Sequence, residues 1–258
     1  MQPDQNTVNT ITHILSGEMF RALGFSNDGW IARTFTPIIW NPIHRFAHIA
    51  AGFDQIVRVQ GFHEASKWIL PNFVDKVNVA GVASIPKDGP LIIAANHPGA
   101  FDTLVITANL SRSDVKIIVN IPLPFIQELP ATQEHFLYAP RDPHIRIGVV
   151  RSALKHLKAG GVLLLFASGG IDPDPASMSG AKEALSNWSD SLDLFLKRVP
   201  QTKLQITLIS GILPPKFVNH AFTHFRKQRS DKQRISEFFL VIRQMLSPGK
   251  YLSSPQIG

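Results

Sequence analysis

Apolar residues follow two different spacings along the chain, and the spacing changes near residue 73. Before that point they recur every three or four residues, as on the buried face of a helix. One such stripe consists of Ile11, Ile14, Leu15 and Met19. After that point, short apolar runs alternate with helical patterns. We therefore predict an N-terminal helical segment over residues 1–72 and an α/β domain over residues 73–258.

Short apolar runs in the second part predict its strands. They cover residues 74–79, 91–95, 115–120, 135–139, 162–167 and 204–210. Amphipathic patterns predict helices over residues 101–110, 142–158, 185–199 and 235–242. Because strands alternate with helices, we predict an α/β fold with a mixed, largely parallel sheet flanked by helices, in addition to the N-terminal helical segment.

Residues 33–53 of the N-terminal segment are apolar, but Pro37, Pro42 and two arginines interrupt them. No run in the chain reaches the ~18 apolar residues that a membrane span needs. The N-terminus also lacks the pattern of a signal peptide. Tryptophan together with arginine and histidine suits a membrane interface. We predict a cytoplasmic, peripheral protein whose N-terminal segment lies on a membrane surface, packs on the α/β domain, or does both.

The net charge of +7 is concentrated in residues 216–234. The basic residues of this segment are Lys216, Arg226, Lys227, Arg229, Lys232 and Arg234, against one acidic residue, Asp231. Such a patch attracts polyanions, which include nucleic acid, an anionic membrane surface and a phosphorylated ligand, and a solvated face is the alternative. Because no RNA-binding motif accompanies the patch, we expect no nucleic acid partner.

Polar residues follow several predicted strands at the edge of the sheet where ligands gather in α/β folds. His97 comes just after the strand 91–95, the Ser168-Gly169-Gly170 turn follows the strand 162–167, and Arg141 follows the strand 135–139. The chain has no cysteine, which excludes a thiolate nucleophile, disulfides and cysteine-type zinc sites. The chemistry of this edge must therefore come from other side chains.

His97 and Asp102 stand on either side of a Pro-Gly turn, between a strand and a helix. This order lets the chain fold back, so that Asp102 in the first helical turn reaches the imidazole. A carboxylate there holds one ring N–H and leaves the other nitrogen as a general base. In the alternative interpretation, His97 merely ends the strand and Asp102 is a helix N-terminal carboxylate, which the helix dipole favours.

The stretch "NHPGAFD", residues 96–102, resembles the NHxxxxD motif of the glycerolipid (lysophospholipid) acyltransferase superfamily. Three later stretches resemble the second, third and fourth blocks of that superfamily, in the same order. They are "FLYAPRD" at 136–142, "LLLFASGGID" at 163–172 and "ITLISGI" at 206–212. The resemblance covers about residues 74–215. It implies transfer of a fatty acyl group from an acyl-CoA or acyl carrier protein thioester to a hydroxyl or amine of a lipid or glycerol-type acceptor.

The resemblance also implies the roles of the site residues. His97 is the general base, and Asp102 orients it. The remaining predicted substrate contacts are Asn96, Gly99, Arg141, Ser168, Gly169 and Gly170. Backbone N–H groups near Gly99 and Gly169-Gly170 are expected to stabilise the oxyanion. No bound cofactor or metal is expected, since the acyl thioester is a co-substrate, and an anionic membrane surface is the expected partner.

The third block departs from the superfamily pattern. Phe166 and Gly169 match it, but Ser168, Gly170 and Ile171 stand where the family has Glu, Thr and Arg. The family arginine suits a phosphate group of the acceptor, and Ile171 cannot bind one. Either another cation replaces that arginine or the acceptor lacks a phosphate. The cations considered are Arg141, Arg146, Arg151 and Lys182.

Two other functions are compatible with the sequence. A non-catalytic lipid-binding member of the same fold would explain the altered third block. A serine hydrolase would use Ser168, a following Asp and His220 in the chain order of α/β-hydrolases, although Phe166 replaces the first Gly of Gly-x-Ser-x-Gly. The i, i+4 pairs His44/His48 and His220/His224 have the spacing of metal ligands, but neither has the HExxH motif or an obvious third ligand.

Overall fold

The computed structural model describes residues 3–22, 24–26, 29–81, 85–120, 123–139, 143–189, 191–223 and 226–258. The strands are β1 (Asn78–Val79), β2 (Leu91–Ala95), β3 (Val115–Val119), β4 (Phe136–Tyr138), β5 (Val162–Phe166), β6 (Lys203–Thr207), β7 (Ile209–Ser210) and β8 (Gln256–Ile257). The helices are α1 (Gln5–Ala22), α2 (Trp30–Gln60), α3 (Phe62–Ile69), α4 (Asp102–Ala108), α5 (Pro130–Gln133), α6 (Pro143–Lys158), α7 (Ala181–Ala184), α8 (Ser191–Arg198), α9 (Pro215–Val218) and α10 (Arg229–Leu246).

Five parallel strands form the main sheet in the order β4-β3-β5-β2-β6. β2 lies in the interior of this sheet and is buried at all its residues, which explains why its sequence is an uninterrupted apolar run. The register pairs Ala95 with both Phe166 and Thr207, so β2, β5 and β6 reach the same level at their carboxyl ends. The predicted α/β fold with a largely parallel sheet is confirmed.

A second, smaller sheet has the order β1-β8-β7, with β8 parallel to β1 and antiparallel to β7. Because of this sheet, two of the predicted strands differ from those in the structure. The run 74–79 contributes only β1 and an isolated bridge from Val74 to Ser253. The run 204–210 divides at Leu208, because the backbone of Leu208 exchanges two hydrogen bonds with Gly258 and the chain passes from the main sheet into the small one.

The helices on both faces of the main sheet create two apolar clusters. On one face, α2, α3, α4 and α10 pack on the sheet, with Phe53 and Phe62 in the same cluster as Ile93 and Leu164. On the other face, α6 and α8 cover the sheet, and Phe195 is among the buried residues. The N-terminal helices thus contribute to the core of the α/β part, and the domain boundary near residue 73 stays a prediction.

α2 runs for 31 residues and includes Pro37 and Pro42. Two helical predictions differ from the structure. The single helix predicted over 185–199 is instead a 3-10 turn followed by α8, and Leu185 is exposed. On α6, the apolar spacing that Ile147 shares with Val150, Leu154 and Leu157 predicts a buried side chain, but Ile147 is 52% exposed. Within the described residues, no helix combines the length and apolar character that crossing a membrane requires.

Candidate active site

The turn after β2 brings His97 and Asp102 into contact. Nδ1 of His97 lies 2.6 Å from Oδ2 of Asp102. The Asp102 carboxylate is buried and also accepts the Gly99 N–H at 3.2 Å and the Thr103 N–H at 2.6 Å. The predicted folding back of the chain is therefore present. Its local cause is that α4 begins at Asp102, directly after the Pro98-Gly99 turn.

The imidazole of His97 is held on one flat side by Phe166, the last residue of β5. The two rings are stacked, with centroids 4.2 Å apart and an interplanar angle of 21°. The Asp102 contact uses Nδ1, and no hydrogen-bond partner of Nε2 is found in the described parts of the chain. The side chain keeps 28% of its surface exposed. Nε2 is thus the nitrogen that is available to a substrate.

Nearby carboxyl groups change the proton affinity of His97. Burial works to lower the pKa of the imidazole, but the charge of Asp102 and its hydrogen bond, together with Glu237 and Asp172, outweigh burial and raise this pKa above 6.5. Glu237 of α10 is itself affected: burial raises the pKa of its carboxyl group from 4.5 to about 8. Its Oε1 is buried without a hydrogen-bond partner among the described residues.

Asp172 and Gln233 hold the turn after β2 through hydrogen bonds to its backbone, and neither was predicted from the sequence. Oδ2 of Asp172 accepts the His97 N–H at 2.9 Å, and the Asp172 N–H donates to the His97 carbonyl at 2.8 Å. Gln233 of α10 is fully buried, and its Nε2 donates to the carbonyls of Pro98 and Asp172. The loops after β2 and β5 are therefore joined to each other and to α10.

Asn96 makes a structural contact that the sequence could not show. Its Nδ2 donates to the Ile209 carbonyl at 2.8 Å, and its Oδ1 accepts the Ile209 N–H at 2.7 Å. The side chain is buried and links the end of β2 to β7. This pairing accounts for the amide side chain, and the predicted contact of Asn96 with substrate stays a prediction.

The turn after β5 is more open. Ser168 Oγ donates to the Gly170 carbonyl at 3.1 Å and accepts the Gly170 N–H at 3.3 Å. Within the described residues Ser168 contacts no imidazole or carboxylate, and the ring of His220 lies instead against Phe239, with centroids 4.5 Å apart. The arrangement that a serine hydrolase would need is not assembled around Ser168.

The expected oxyanion donors differ in their availability. The Gly99 N–H is directed to Asp102, and the Gly169 N–H donates to the Phe166 carbonyl at 3.0 Å. The Gly170 N–H has only its long contact with Ser168 and lies on an exposed turn, so it is the most available of the three. Arg141, the remaining predicted substrate contact, lies outside the described residues.

The histidine pairs have separate surroundings. His44 contacts Gln5 and stacks on Trp40, and His224 lies outside the described residues. In the part of the chain that the structure describes, no group of three His, Cys, Asp or Glu side chains could hold a metal ion.

A cavity of about 570 Å³ opens beside Asn96, on the side of the small sheet. Its lining is mostly apolar, and one cation, Lys182, is among the lining residues. The lining includes Val79, Leu185, Leu208, Ile209 and Ile257. Such a lining suits an apolar group, and the cavity reaches the residue that precedes His97.

Comparison with known proteins gives one family and one solved structure to report. The model of the family Acyltransferase matches residues 76–200. The chain is also similar to the 1-acyl-sn-glycerophosphate (LPA) acyltransferase PlsC from Thermotoga maritima, at 16% identity and a TM-score of 0.43 over 92% of this chain and 96% of that one. No curated protein matches the chain. The family match confirms, over residues 76–200, the resemblance predicted from the sequence, and this stretch is similar to an acyltransferase domain.

Proposed function

We propose that this acyltransferase moves a fatty acyl group from an acyl-CoA or acyl carrier protein thioester to a hydroxyl or amine of a lipid or glycerol-type acceptor. The observation that carries the proposal is the 2.6 Å contact between His97 and Asp102 at the carboxyl end of β2, inside the matched family domain. A histidine that is held through one nitrogen and open at the other is suited to general-base catalysis.

In this mechanism the acceptor attacks the thioester carbonyl while His97 removes its proton. Asp102 holds the Nδ1–H, so the lone pair on Nε2 receives the proton from the acceptor. The tetrahedral oxyanion accepts a hydrogen bond from the Gly170 N–H. Collapse of this intermediate breaks the carbon–sulfur bond, and the leaving thiolate takes the proton back from the imidazolium. No covalent acyl-enzyme is required, in agreement with the absence of cysteine.

The apolar cavity beside Asn96 supports a lipid substrate. A volume of about 570 Å³ with mostly apolar walls accommodates the hydrocarbon part of a substrate better than a polar one. Because Asn96 lies next to His97 in the chain, a hydrocarbon chain in this cavity would place its carbonyl or hydroxyl end near the base.

Two surface features support a peripheral position on an anionic, cytoplasmic membrane face. The first half of α2 exposes Trp30, Phe35 and Ile38, at 74%, 46% and 66% of their surfaces. The basic segment 216–234 supplies the charge, and each basic residue near an anionic surface contributes about 1 kcal/mol, which salt screens. The apolar contribution should resist salt.

A liposome co-sedimentation assay tests this membrane association. We expect binding to anionic liposomes that weakens, but does not vanish, as salt rises. Replacement of Arg226, Lys227, Arg229, Lys232 and Arg234 by Gln should remove the salt-sensitive part. If the intact protein stays in the supernatant at low salt, the surface association is wrong, and acyl carrier protein becomes the better partner for the basic segment.

The experiment that tests the proposed reaction is thioester-dependent turnover against a panel of acceptors with and without phosphate. Release of free thiol and the mass of the acylated product are measured together, with His97→Ala as the inactive reference. Lipid binding without thiol release would favour the non-catalytic member of the family. Labelling of Ser168 by a fluorophosphonate would favour the hydrolase.

A further inference from the structure

The basic segment reaches the active-site edge through Arg229, the first residue of α10. Its guanidinium is exposed and has two fixed acceptors. Nη2 donates to the Ile171 carbonyl at 2.6 Å, and Nη1 donates to Oε1 of Gln233 at 2.7 Å. Ile171 follows the open turn after β5 and is the residue that replaces the arginine of the third block. A cation from α10 thus lies against this loop position.

Arg229 is tied to the base through a short series of contacts. Gln233, which positions the guanidinium, is fully buried and donates to the carbonyls of Pro98 and Asp172. Asp172 exchanges two hydrogen bonds with the backbone of His97. Because Gln233 is fully buried and its amide is fixed by two backbone carbonyls, the guanidinium that it contacts is held at a defined place relative to His97 before any substrate binds.

Arg229 also has unused binding capacity. A guanidinium carries five N–H donors, and the two contacts above leave others for a ligand. Among the described residues no carboxylate forms an ion pair with Arg229, whereas Arg234 on the same helix lies 4.0 Å from Asp231. A planar, uncompensated guanidinium of this kind is suited to the paired oxygens of a phosphate group.

We infer that Arg229 binds the phosphate group of the acyl acceptor and thereby determines acceptor specificity. The inference rests on the proposed acyltransferase function. It assigns the missing cation of the third block to a residue beyond the matched family domain, which the sequence analysis did not include among the replacement cations. Arg146 and Arg151 are exposed on α6, and Lys182 lines the apolar cavity.

The test compares two acceptors that differ only in the phosphate, 1-acylglycerol 3-phosphate and 1-acylglycerol. For Arg229→Gln, kcat/KM on the phosphorylated acceptor should fall about 10- to 100-fold, while kcat/KM on the other acceptor stays near the wild-type value. For Arg229→Lys, kcat/KM on the phosphorylated acceptor should lie between the wild-type and Arg229→Gln values, because lysine keeps the charge and lacks the planar pair of donors. Arg198→Gln, an exposed arginine on α8, is the control for loss of one positive charge.

Two results would overturn the inference. An equal loss on both acceptors would contradict binding of the acceptor phosphate, and an unchanged ratio with full activity would show that Arg229 has no part in binding. An acyl-pantetheine donor, which lacks the nucleotide phosphates of CoA, separates the two causes of an equal loss. If the equal loss disappears with this donor, Arg229 binds a phosphate of the donor; if it persists, Arg229 only holds the loop.

A binding measurement separates this inference from the proposed function. Calorimetric titration of the full chain with glycerol 3-phosphate should show binding that is about tenfold weaker in Arg229→Gln, with glycerol as the phosphate-free control. If this difference appears while no thioester is consumed with any acceptor, the proposed reaction fails and the anion site stands. If thioester is consumed but both proteins bind glycerol 3-phosphate equally, the anion site fails and the reaction stands.

Discussion

The turns after β2 and β5 lie side by side on the same edge of the sheet, yet they differ in how tightly they are built. In the first, Asp102 is buried, and a Cβ added to Gly99 would come 2.8 Å from Cγ2 of Ile212. In the second, the Ser168 hydroxyl forms hydrogen bonds with Gly170, and a Cβ on Gly170 would meet no atom of the described residues within 4 Å. The tight turn is the one that holds the proposed base, and the open turn is the one that departs from the family pattern.

The difference shows where this site tolerates change. A general base works only when its orientation and tautomer are fixed, and at Gly99 in this turn an added methyl group would meet Ile212 and Glu237. The turn after β5 borders on solvent, so its residues are free to change with the acceptor. Arg229 then reaches that turn from α10 and is held there by two hydrogen bonds. Five predictions test this contrast, in order of decreasing effect.

His97→Ala removes the base from the tight turn. Turnover should fall about 10²–10⁴-fold, because general-base catalysis contributes that much. The fold should persist, since the imidazole is partly exposed and stacks on Phe166 at the surface of the core. Thiol release measures the loss, thermal unfolding checks the fold, and His48→Ala on α2 is the histidine control. Wild-type turnover in His97→Ala would contradict the mechanism.

Asp102→Asn keeps the shape of the turn and removes the charge that supports His97. Turnover should fall by as much as in His97→Ala or less. The working base is the neutral imidazole, so wild-type activity should rise with pH through a pKa above 6.5. Without the carboxylate that pKa falls, and the acid limb of kcat/KM should move to lower pH. Asp193→Asn, a substitution on the protein surface, is the control and should leave the acid limb of kcat/KM at its wild-type pH. If Asp102→Asn also leaves the acid limb at its wild-type pH, Asp102 does not set the pKa of His97.

Glu237 should make stability depend on pH. Its pKa is about 8 in the folded protein and near 4.5 in the unfolded chain, so the folded state binds more protons between these values. Stability from this group is complete below pH 4.5 and is lost as pH rises through about 8. Between pH 4.5 and about 8, the melting temperature of Glu237→Gln should therefore decline less than that of the wild-type protein. An identical pH dependence in both proteins would show that the Glu237 carboxyl is not kept protonated by burial.

Gly99→Ala and Gly170→Ala place the same methyl group in the two turns. At Gly99 the methyl meets Ile212 and Oε1 of Glu237, so the free energy of unfolding should fall by about 1–3 kcal/mol, with a loss of turnover. At Gly170 the space is open, and the change in the free energy of unfolding should stay within about 0.5 kcal/mol. If chemical denaturation gives the same change in the free energy of unfolding for both variants, the turn after β2 is not packed more tightly than the turn after β5.

Ser168→Ala should have the smallest effect. The Ser168 hydroxyl forms hydrogen bonds with the exposed Gly170, so the change in the free energy of unfolding should be about 0.5 kcal/mol or less, and turnover should change about twofold at most. A fluorophosphonate should not label the wild-type protein at this residue. Loss of activity together with labelling would replace the proposed mechanism with that of a serine hydrolase.

The sequence predicted those parts of the site that depend on local order. A buried strand, a Pro-Gly turn and a helix start lie close together in the chain, so the contact between His97 and Asp102 could be predicted from this order of elements. Asp172, Gln233 and Glu237 were missed because their contacts span long sequence separations. On an amphipathic helix such as α10, a polar residue that supports a distant loop has the same pattern as one that faces water.

The same distinction applies to the fold. The main strands were predicted because each lies in a short stretch rich in apolar residues, but β8 was not, since Gln256–Ile257 is too short to show a period. The division at Leu208 depends on hydrogen bonds to Gly258, which no local pattern contains. Pro37 and Pro42 lie inside α2 although local propensity disfavours proline in a helix, and packing of α2 against α1 and α3 outweighs that preference.

The position of β8 between β1 and β7 has a consequence for the order of events during synthesis. A chain leaves the ribosome from its N-terminus, so all five strands of the main sheet have been made once Thr207 has emerged. β1 and β7 must wait for Gln256 and Ile257, and until then both present unpaired edges that can pair with another nascent chain. Ile257 also lines the apolar cavity, so the wall of this cavity is completed only after β2 and the turn that carries His97 have been made.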